Sequence, residues 1–113
     1  MIHRGEIWWA DLTEPQGSEP GYRRPLLIVQ ADAFNHSRIG TTIGVVLTSN
    51  LHLVDAPGNV LLAKRASGLP KDSVANVSQV VTVDQDILSE RVGRISGDLL
   101  DAVETGLRLV LAL

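Results

Sequence analysis

The chain contains no cysteine among its 113 residues. This absence excludes a disulfide framework, thiolate catalysis and any zinc site built on cysteine ligands. No stretch is both long enough and free enough of charge to cross a bilayer, and the N-terminus lacks the apolar segment of a secretory signal. The sequence therefore predicts a cytoplasmic protein.

Positive charge is also scarce, and the formal net charge is −3. Residues 84–113 carry six acidic and three basic side chains, whereas residues 1–83 carry seven of each, so the last 30 residues account for the whole excess. The strongly basic surface typical of nonspecific nucleic-acid binding is missing. Any binding of RNA or DNA must depend on local arginines.

The histidines are few and separated. His3, His36 and His52 are far apart in the sequence and show no ligand spacing such as His-x-x-x-His. We expect three surface side chains, no metal site and no cofactor.

What the chain does have is enough apolar residues, 44% of the total, for one domain over residues 1–113 with its own core. Apolar and β-branched runs bounded by glycine and proline turns predict several strands. We expect these strands over residues 6–12, 26–29, 41–47, 60–62, 73–83 and 92–95. Asp32 is expected to cap a short helix or turn over residues 32–37.

A C-terminal helix is predicted after Ser96, which is a favourable N-cap residue. Glu104 and Arg108 have the spacing of an ion pair on its outer face. Its apolar stripe is expected to join the core and comprises Leu99, Leu100, Val103, Leu107, Val110 and Leu111. The fold class is thus mainly β with helices (α+β), a small antiparallel β-barrel with a C-terminal helix.

The segment between Gly5 and Gln30 is the most informative part of the chain. An aromatic strand leads into a glycine- and proline-rich loop, and Arg24 stands where that loop enters an apolar strand. Pro25 favours extended geometry at Arg24, which predicts an anchored position. Taken alone, such an arginine is more often a solvated surface charge. Trp8 and Trp9 are interpreted as packing residues.

Taken in order, these motifs resemble the MazF/PemK (Kid-like) toxins of bacterial type II toxin–antitoxin systems over nearly the whole chain. The resemblance is carried by Gly5-Glu6-Ile7-Trp8, Gly17-Ser18-Glu19, Arg23-Arg24-Pro25, Leu47-Thr48-Ser49, and Ser73-Val74-Ala75 with Gln79. Ser78 and Val81 depart from the family pattern, in which an acidic residue often precedes the glutamine and a basic residue follows two positions after it.

The resemblance implies an SH3-like barrel, a homodimer and a toxin that cleaves single-stranded RNA, such as mRNA, at specific sequences without a metal. A cognate antitoxin protein would restrain it. Arg24 and Thr48 match the catalytic pair: Arg24 would stabilise charge on the phosphate, and Thr48 would orient it. The products would be a 2′,3′-cyclic phosphate and a 5′-hydroxyl. Further candidates for RNA binding are Ser18, Glu19, Tyr22, Arg23, Ser49, Asn50 and Gln79.

Two other functions stay open at this point. A nonenzymatic toxin of the same barrel fold, like the CcdB relatives, would poison DNA gyrase without requiring Arg24 and Thr48. A barrel-fold binding module would instead recognise peptides through its groove, and Thr48 would then only pair across strands.

Overall fold

A computed structural model describes residues 1–12 and 22–113. The strands in those residues are β1 (Glu6–Asp11), β2 (Arg23–Ile28), β3 (Thr41–Thr48), β4 (Val60–Leu62), β5 (Ser73–Asp84) and β6 (Leu88–Arg94). The α-helices are α1 (Asp32–Asn35), α2 (Lys64–Ser67) and α3 (Gly97–Leu111), and short 3-10 helices span Leu51–Asp55 and Gln85–Ile87. No helix in the described residues has the length and apolar character needed to cross a membrane.

The strands form one antiparallel sheet in the order β4-β5-β3-β2-β1-β6. This sheet curls because α2, which follows the edge strand β4, packs against the opposite edge strand β6. Gly68 has a φ of +82°, and a Cβ atom there would lie 3.2 Å from the Val92 carbonyl oxygen. At Gly93 a Cβ atom would lie 3.1 Å from the Ser67 carbonyl oxygen. The predicted antiparallel barrel is confirmed in this half-barrel form.

Apolar side chains fill both faces of the sheet, because successive residues of a strand point to opposite sides. The larger cluster lies between the sheet and α3 and includes Ile7, Leu27, Val45, Leu47, Leu62, Val77 and Val103. The smaller cluster, on the other face, consists of Ala10, Leu26 and Val46, flanked by half-buried side chains of β5 and β6. The candidate catalytic residues continue the row of the smaller cluster.

The structure corrects two details of the predicted fold, one at Asp32 and one at β6. Asp32 belongs to α1 but does not cap it, since Ala31 precedes the helix and makes no side-chain cap bond. The Asp32 carboxylate instead accepts the backbone N–H of Arg4 at 2.7 Å, and this bond holds the pKa of Asp32 below its ordinary value. Strand β6 begins at Leu88, four residues before Val92, because its first half pairs with β1.

Glu6 is a buried carboxylate that links β1 to β6. It accepts hydrogen bonds from Arg91 Nε at 2.7 Å, from the backbone N–H of His3 at 2.8 Å and from the Trp8 indole at 3.1 Å. Burial raises the pKa of Glu6, but these hydrogen bonds outweigh that effect and the pKa lies below its ordinary value. Trp8 is half-buried, and its indole N–H is used in the hydrogen bond to Glu6.

The C-terminal helix follows the prediction at its start and departs from it at its end. Ser96 accepts the backbone N–H of Leu99 at 3.3 Å, as an N-cap does. The first four residues of the predicted stripe pack against the larger core cluster. Val110 and Leu111 do not, with 43% and 55% of their surface exposed. The prediction of a core stripe is wrong for these two residues because the helix extends past the sheet that it covers.

Glu104 pairs with Arg4, not with Arg108 as predicted. Arg4 precedes β1, and its guanidinium also donates to the Val29 carbonyl oxygen at 2.9 Å. Both Arg4 and Glu104 are half-buried between the N-terminal segment and α3. A tertiary partner has therefore replaced the local i,i+4 partner. An i,i+4 ion pair on a helix surface stabilises the helix by only about 0.2–0.5 kcal/mol.

Gly106 allows α3 to pack directly on the turn before β4. A Cβ atom at this position would lie 2.1 Å from the Gly58 carbonyl oxygen. We expect Gly106→Ala to lower the free energy of unfolding by about 1–3 kcal/mol. The cost of relieving the steric overlap exceeds the gain of about 0.5–1 kcal/mol that alanine gives over glycine inside a helix. Urea unfolding measures the difference. Gly97→Ala is the matched control, since no atom lies within 4 Å of its added Cβ. Equal stability of the two variants would contradict this packing.

Candidate active site

The register of β2 and β3, extended past the pair of Leu26 with Val46, sets Arg24 opposite Thr48. Leu26 pairs with Val46, and Leu27 with Val45, so paired residue numbers of β2 and β3 sum to 72. Extending the same register by two residues sets Arg24 against Thr48, because 24 and 48 also sum to 72. Both side chains belong to the sheet face that carries Leu26 and Val46. Arg24 is exposed and Thr48 is half-buried.

The hydroxyl of Thr48 has one fixed hydrogen bond. Its Oγ1 accepts the backbone N–H of Asn50 at 3.1 Å. A hydroxyl carries one donor and two acceptor positions, so this bond uses a lone pair and leaves the proton available. Asn50 itself caps the following 3-10 helix, accepting the backbone N–H of His52 at 3.3 Å. The local turn therefore orients Thr48 as a hydrogen-bond donor at the end of β3.

A groove of about 300 Å³ opens beside Arg24. Its lining residues come from four places in the fold and are Trp9, Arg23, Arg24, Pro25, Leu47, Ser49, Leu69, Pro70, Lys71 and Ser73. Among the described residues that line it, three are cationic and none is acidic, although the chain as a whole is acidic. Thr48 is not among the lining residues. Arg24 lines the groove and also belongs to the sheet face on which Thr48 lies. This arrangement favours an anionic ligand.

The two neighbouring arginines differ in how they are held. The Arg23 guanidinium lies 4.6 Å from the centre of the Trp9 ring and donates to Glu90 at 3.1 Å. These contacts form a stacked cation on an aromatic ring. Within residues 1–12 and 22–113, the Arg24 side chain has no ion pair or hydrogen bond. Its backbone is anchored opposite Ala10 of β1, as the proline after it predicts.

Of the described residues predicted to bind RNA, Arg23 and Ser49 line this groove, and Tyr22, Asn50 and Gln79 do not. Ser49 lines it, and Tyr22 is 63% exposed with a φ of +57° just before β2. Gln79 lies farther along β5, where the pairing with β3 is irregular, and its side-chain oxygen accepts from Asn76 at 3.2 Å. Ser18 and Glu19 lie outside the described residues.

Sequence reasoning missed three residues of the groove. Trp9 was interpreted only as packing, yet it both contacts the larger core cluster and supports Arg23. Lys71 lies in the turn after α2, and Ser73, which begins β5, is predicted only as part of a strand and of the family motif. The signal that could have indicated them is the lysine directly after Leu69-Pro70, but only the curl of the sheet carries this turn to β2.

Comparison with known proteins identifies the family. Residues 3–111 match the family described as the PemK-like, MazF-like toxin of type II toxin–antitoxin systems. The chain is 48% identical over 113 residues to a protein named Endoribonuclease MazF2 from Mycobacterium bovis, covering 100% of this chain and 99% of that protein. The same identity and coverage hold for Endoribonuclease MazF6 from Mycobacterium tuberculosis.

Solved structures share the fold. An endoribonuclease in complex with its cognate antitoxin from a mycobacterial species has a TM-score of 0.82 at 23% identity, covering 100% of this chain and 97% of that one. MazF from Deinococcus radiodurans has a TM-score of 0.81 at 24% identity, covering 99% and 97% of the two chains. The family match spans nearly the whole chain, and the protein therefore belongs to the PemK-like, MazF-like toxins of type II toxin–antitoxin systems.

Proposed function

We propose that this toxin is an endoribonuclease that cleaves single-stranded RNA, such as mRNA, at specific sequences and without a metal ion. The observation that carries the proposal is the β2–β3 register, which when extended by two residues sets Arg24 opposite Thr48, beside a groove whose described lining has three cations and no acid. Full-length relatives at 48% identity that are named endoribonucleases support the same reaction. The toxin would act in the cytoplasm, where transcripts are made.

The reaction uses the RNA's own 2′-hydroxyl as the nucleophile. The 2′-oxygen attacks phosphorus and loses its proton, while the bond from phosphorus to the 5′-oxygen breaks and that oxygen gains a proton. The products are a 2′,3′-cyclic phosphate and a 5′-hydroxyl. The phosphate oxygens gain negative charge in the transition state, so the protein must hold the phosphate and stabilise that charge.

Arg24 has the chemistry for this stabilisation. Its guanidinium is always charged and can donate to two phosphate oxygens in one plane. Because no described side chain competes for it, the guanidinium meets the phosphate without first breaking an ion pair. The hydroxyl of Thr48, on the neighbouring strand, donates a hydrogen bond to a phosphate oxygen and so fixes the orientation of the phosphate.

The rest of the groove would hold the RNA on either side of the cut. Lys71 supplies a mobile positive charge for a neighbouring phosphate, and Ser49 and Ser73 supply hydroxyls for base edges or sugar. Trp9 lies beneath Arg23, whose flat guanidinium offers a stacking surface for an unpaired base. Ser18, Glu19, Tyr22, Asn50 and Gln79 remain proposed RNA contacts.

Arg24→Ala should reduce RNA cleavage by about 100- to 1000-fold, because one donor to a charged transition state contributes about 3–4 kcal/mol. Antitoxin-free protein is incubated with a long single-stranded RNA in EDTA, and the cut ends are mapped. Arg38→Ala is the matched control, since it removes the same charge at an exposed site outside the groove. A loss below tenfold for Arg24→Ala would refute its catalytic role.

Thr48 variants refine the same assay. Thr48→Val keeps the shape but removes the hydroxyl, and Thr48→Ser keeps the hydroxyl. If both variants cleaved RNA at the wild-type rate, the hydroxyl would be excluded from the reaction. Absence of any cleavage by wild-type protein in EDTA, with restoration by a divalent cation, would instead refute a metal-independent reaction.

Lys71→Ala should weaken RNA binding and flatten its dependence on salt. One lost phosphate contact lowers the slope of log affinity against log salt concentration by about 0.7 for a single strand. Binding is measured with an oligoribonucleotide methylated at its 2′-oxygens, which removes the nucleophile. Lys64→Ala, at an exposed lysine of α2 outside the groove, should leave the slope unchanged. Identical slopes for the two variants would remove Lys71 from the RNA path.

A cognate antitoxin would block the same groove with an acidic, disordered segment, because the groove is cationic inside an acidic protein. A complex with a cognate antitoxin is known for one structure that shares the fold.

We also propose a homodimer, for which the apolar end of α3 supplies surface: Leu109, Val110 and Leu111 are 61%, 43% and 55% exposed. Light scattering should report twice the chain mass of 12.2 kDa, and the mass of a monomer at working concentration would contradict the dimer.

A further inference from the structure

Two of the three histidines, which are distant in the sequence, meet an aspartate in the fold. His3 precedes β1, and Asp32 and His36 are one helical turn apart at α1. The rings of His3 and His36 are 4.7 Å apart between centroids, at an interplanar angle of 82°. One ligand atom from each of the three residues lies within 4.8 Å of the other two. The spacing argument against a metal site therefore does not hold in three dimensions.

In His36 and in Asp32, one polar atom is held by hydrogen bonds to groups outside the cluster. His36 Nε2 lies 2.7 Å from the backbone carbonyl oxygen of Ile2. A carbonyl can only accept, so Nε2 carries the proton and Nδ1 of a neutral ring has a free lone pair. In Asp32, Oδ1 accepts from Arg4 N at 2.7 Å and from Asn35 Nδ2 at 3.1 Å. Its Oδ2 has neither of these bonds.

His3 completes the cluster without satisfying that oxygen. Its Nδ1 is 3.7 Å from Asp32 Oδ2, which is beyond hydrogen-bond distance. The cluster thus holds two imidazoles and a carboxylate with unused lone pairs, while backbone and amide groups fix the outer atoms. Hydrogen bonds from groups around a metal site to the outer atoms of its ligands orient the histidine and carboxylate ligands.

The dimensions suit a small transition-metal ion after modest side-chain rotation. An ion with ligands at about 2.0–2.1 Å in tetrahedral geometry needs ligand atoms about 3.4 Å apart. The 3.7 Å separation of His3 and Asp32 is close to that value, whereas the separations from His36, which lie within 4.8 Å, must shorten by rotation of the side chains, of which His3 and Asp32 are 42% and 40% exposed. The nearby Arg4 guanidinium is neutralised by its own partner, Glu104.

We propose that His3, Asp32 and His36 form a binding site for one divalent transition-metal ion of the zinc type. Two nitrogen ligands and one oxygen ligand favour zinc over magnesium or calcium, which prefer oxygen alone. The site lies where β1 begins and β2 ends, whereas Arg24 lies at the opposite end of this strand pair. The ion would connect the N-terminal segment to α1 and stabilise the fold, and it takes no part in RNA cleavage.

The test titrates ZnCl2 into full-length protein that carries no polyhistidine tag, using calorimetry and thermal unfolding. We expect one zinc ion per chain and a saturable rise in Tm, with no such rise from MgCl2 or CaCl2. His36→Gln keeps a donor for the Ile2 carbonyl, and Asp32→Asn keeps an acceptor for Arg4. Each should weaken zinc binding at least about tenfold. His52→Ala, at the exposed third histidine, should bind like the wild type.

Wild-type protein offers a second measurement that does not depend on a variant folding. In imidazole nitrogen NMR spectra, zinc should shift the signals of His3 and His36 and leave that of His52 in place. Lack of saturable binding, unchanged affinity in His36→Gln, or zinc shifts confined to His52 would each overturn the proposal. RNA cleavage in EDTA is a separate readout, so failure of the metal site and failure of the proposed function are distinguishable.

Discussion

The antiparallel register between β2 and β3 is the constraint on which the candidate active site depends. Because side chains alternate along each strand, a shift of one residue would move Arg24 or Thr48 to the other face of the sheet. The buried neighbours Leu26 and Val46 prevent such a shift, since either side chain would then leave the smaller core cluster. Core packing and the position of the proposed catalytic pair therefore depend on the same register.

The closure of the sheet supplies the rest of the groove. Gly68 and Gly93 let α2 approach β6 at backbone distance, and the turn after α2 then carries Leu69, Pro70 and Lys71 toward β2. In the part of the chain that the structure describes, this brings three cations and no acid onto one concave surface of an acidic protein. A local field of this kind attracts RNA phosphates without the nonspecific binding that a basic protein would show.

The two sites differ in how their side chains are held. Arg24 has a fixed backbone and no described partner for its guanidinium, which suits a group that must meet a transient charge. At the other end of β1 and β2, the outer atoms of His36 and Asp32 are fixed by Ile2, Arg4 and Asn35. That arrangement suits a permanent ligand. One strand pair thus has a site proposed for chemistry at one end and a site proposed for stability at the other.

Local patterns in the sequence determined most elements of the fold: the β-branched, apolar run in Thr41–Thr48, the turn before Val60 and the Ser96 cap all act over a few residues. The sequence also placed Arg24 and Thr48 at strand ends. Only the tertiary structure decided which distant groups meet, including Arg4 with Glu104, His3 with His36, and Lys71 with the Arg24 groove. The physical reason is that periodicity and capping report local backbone preference, whereas these contacts arise from strand pairing and sheet curl between segments far apart in the chain.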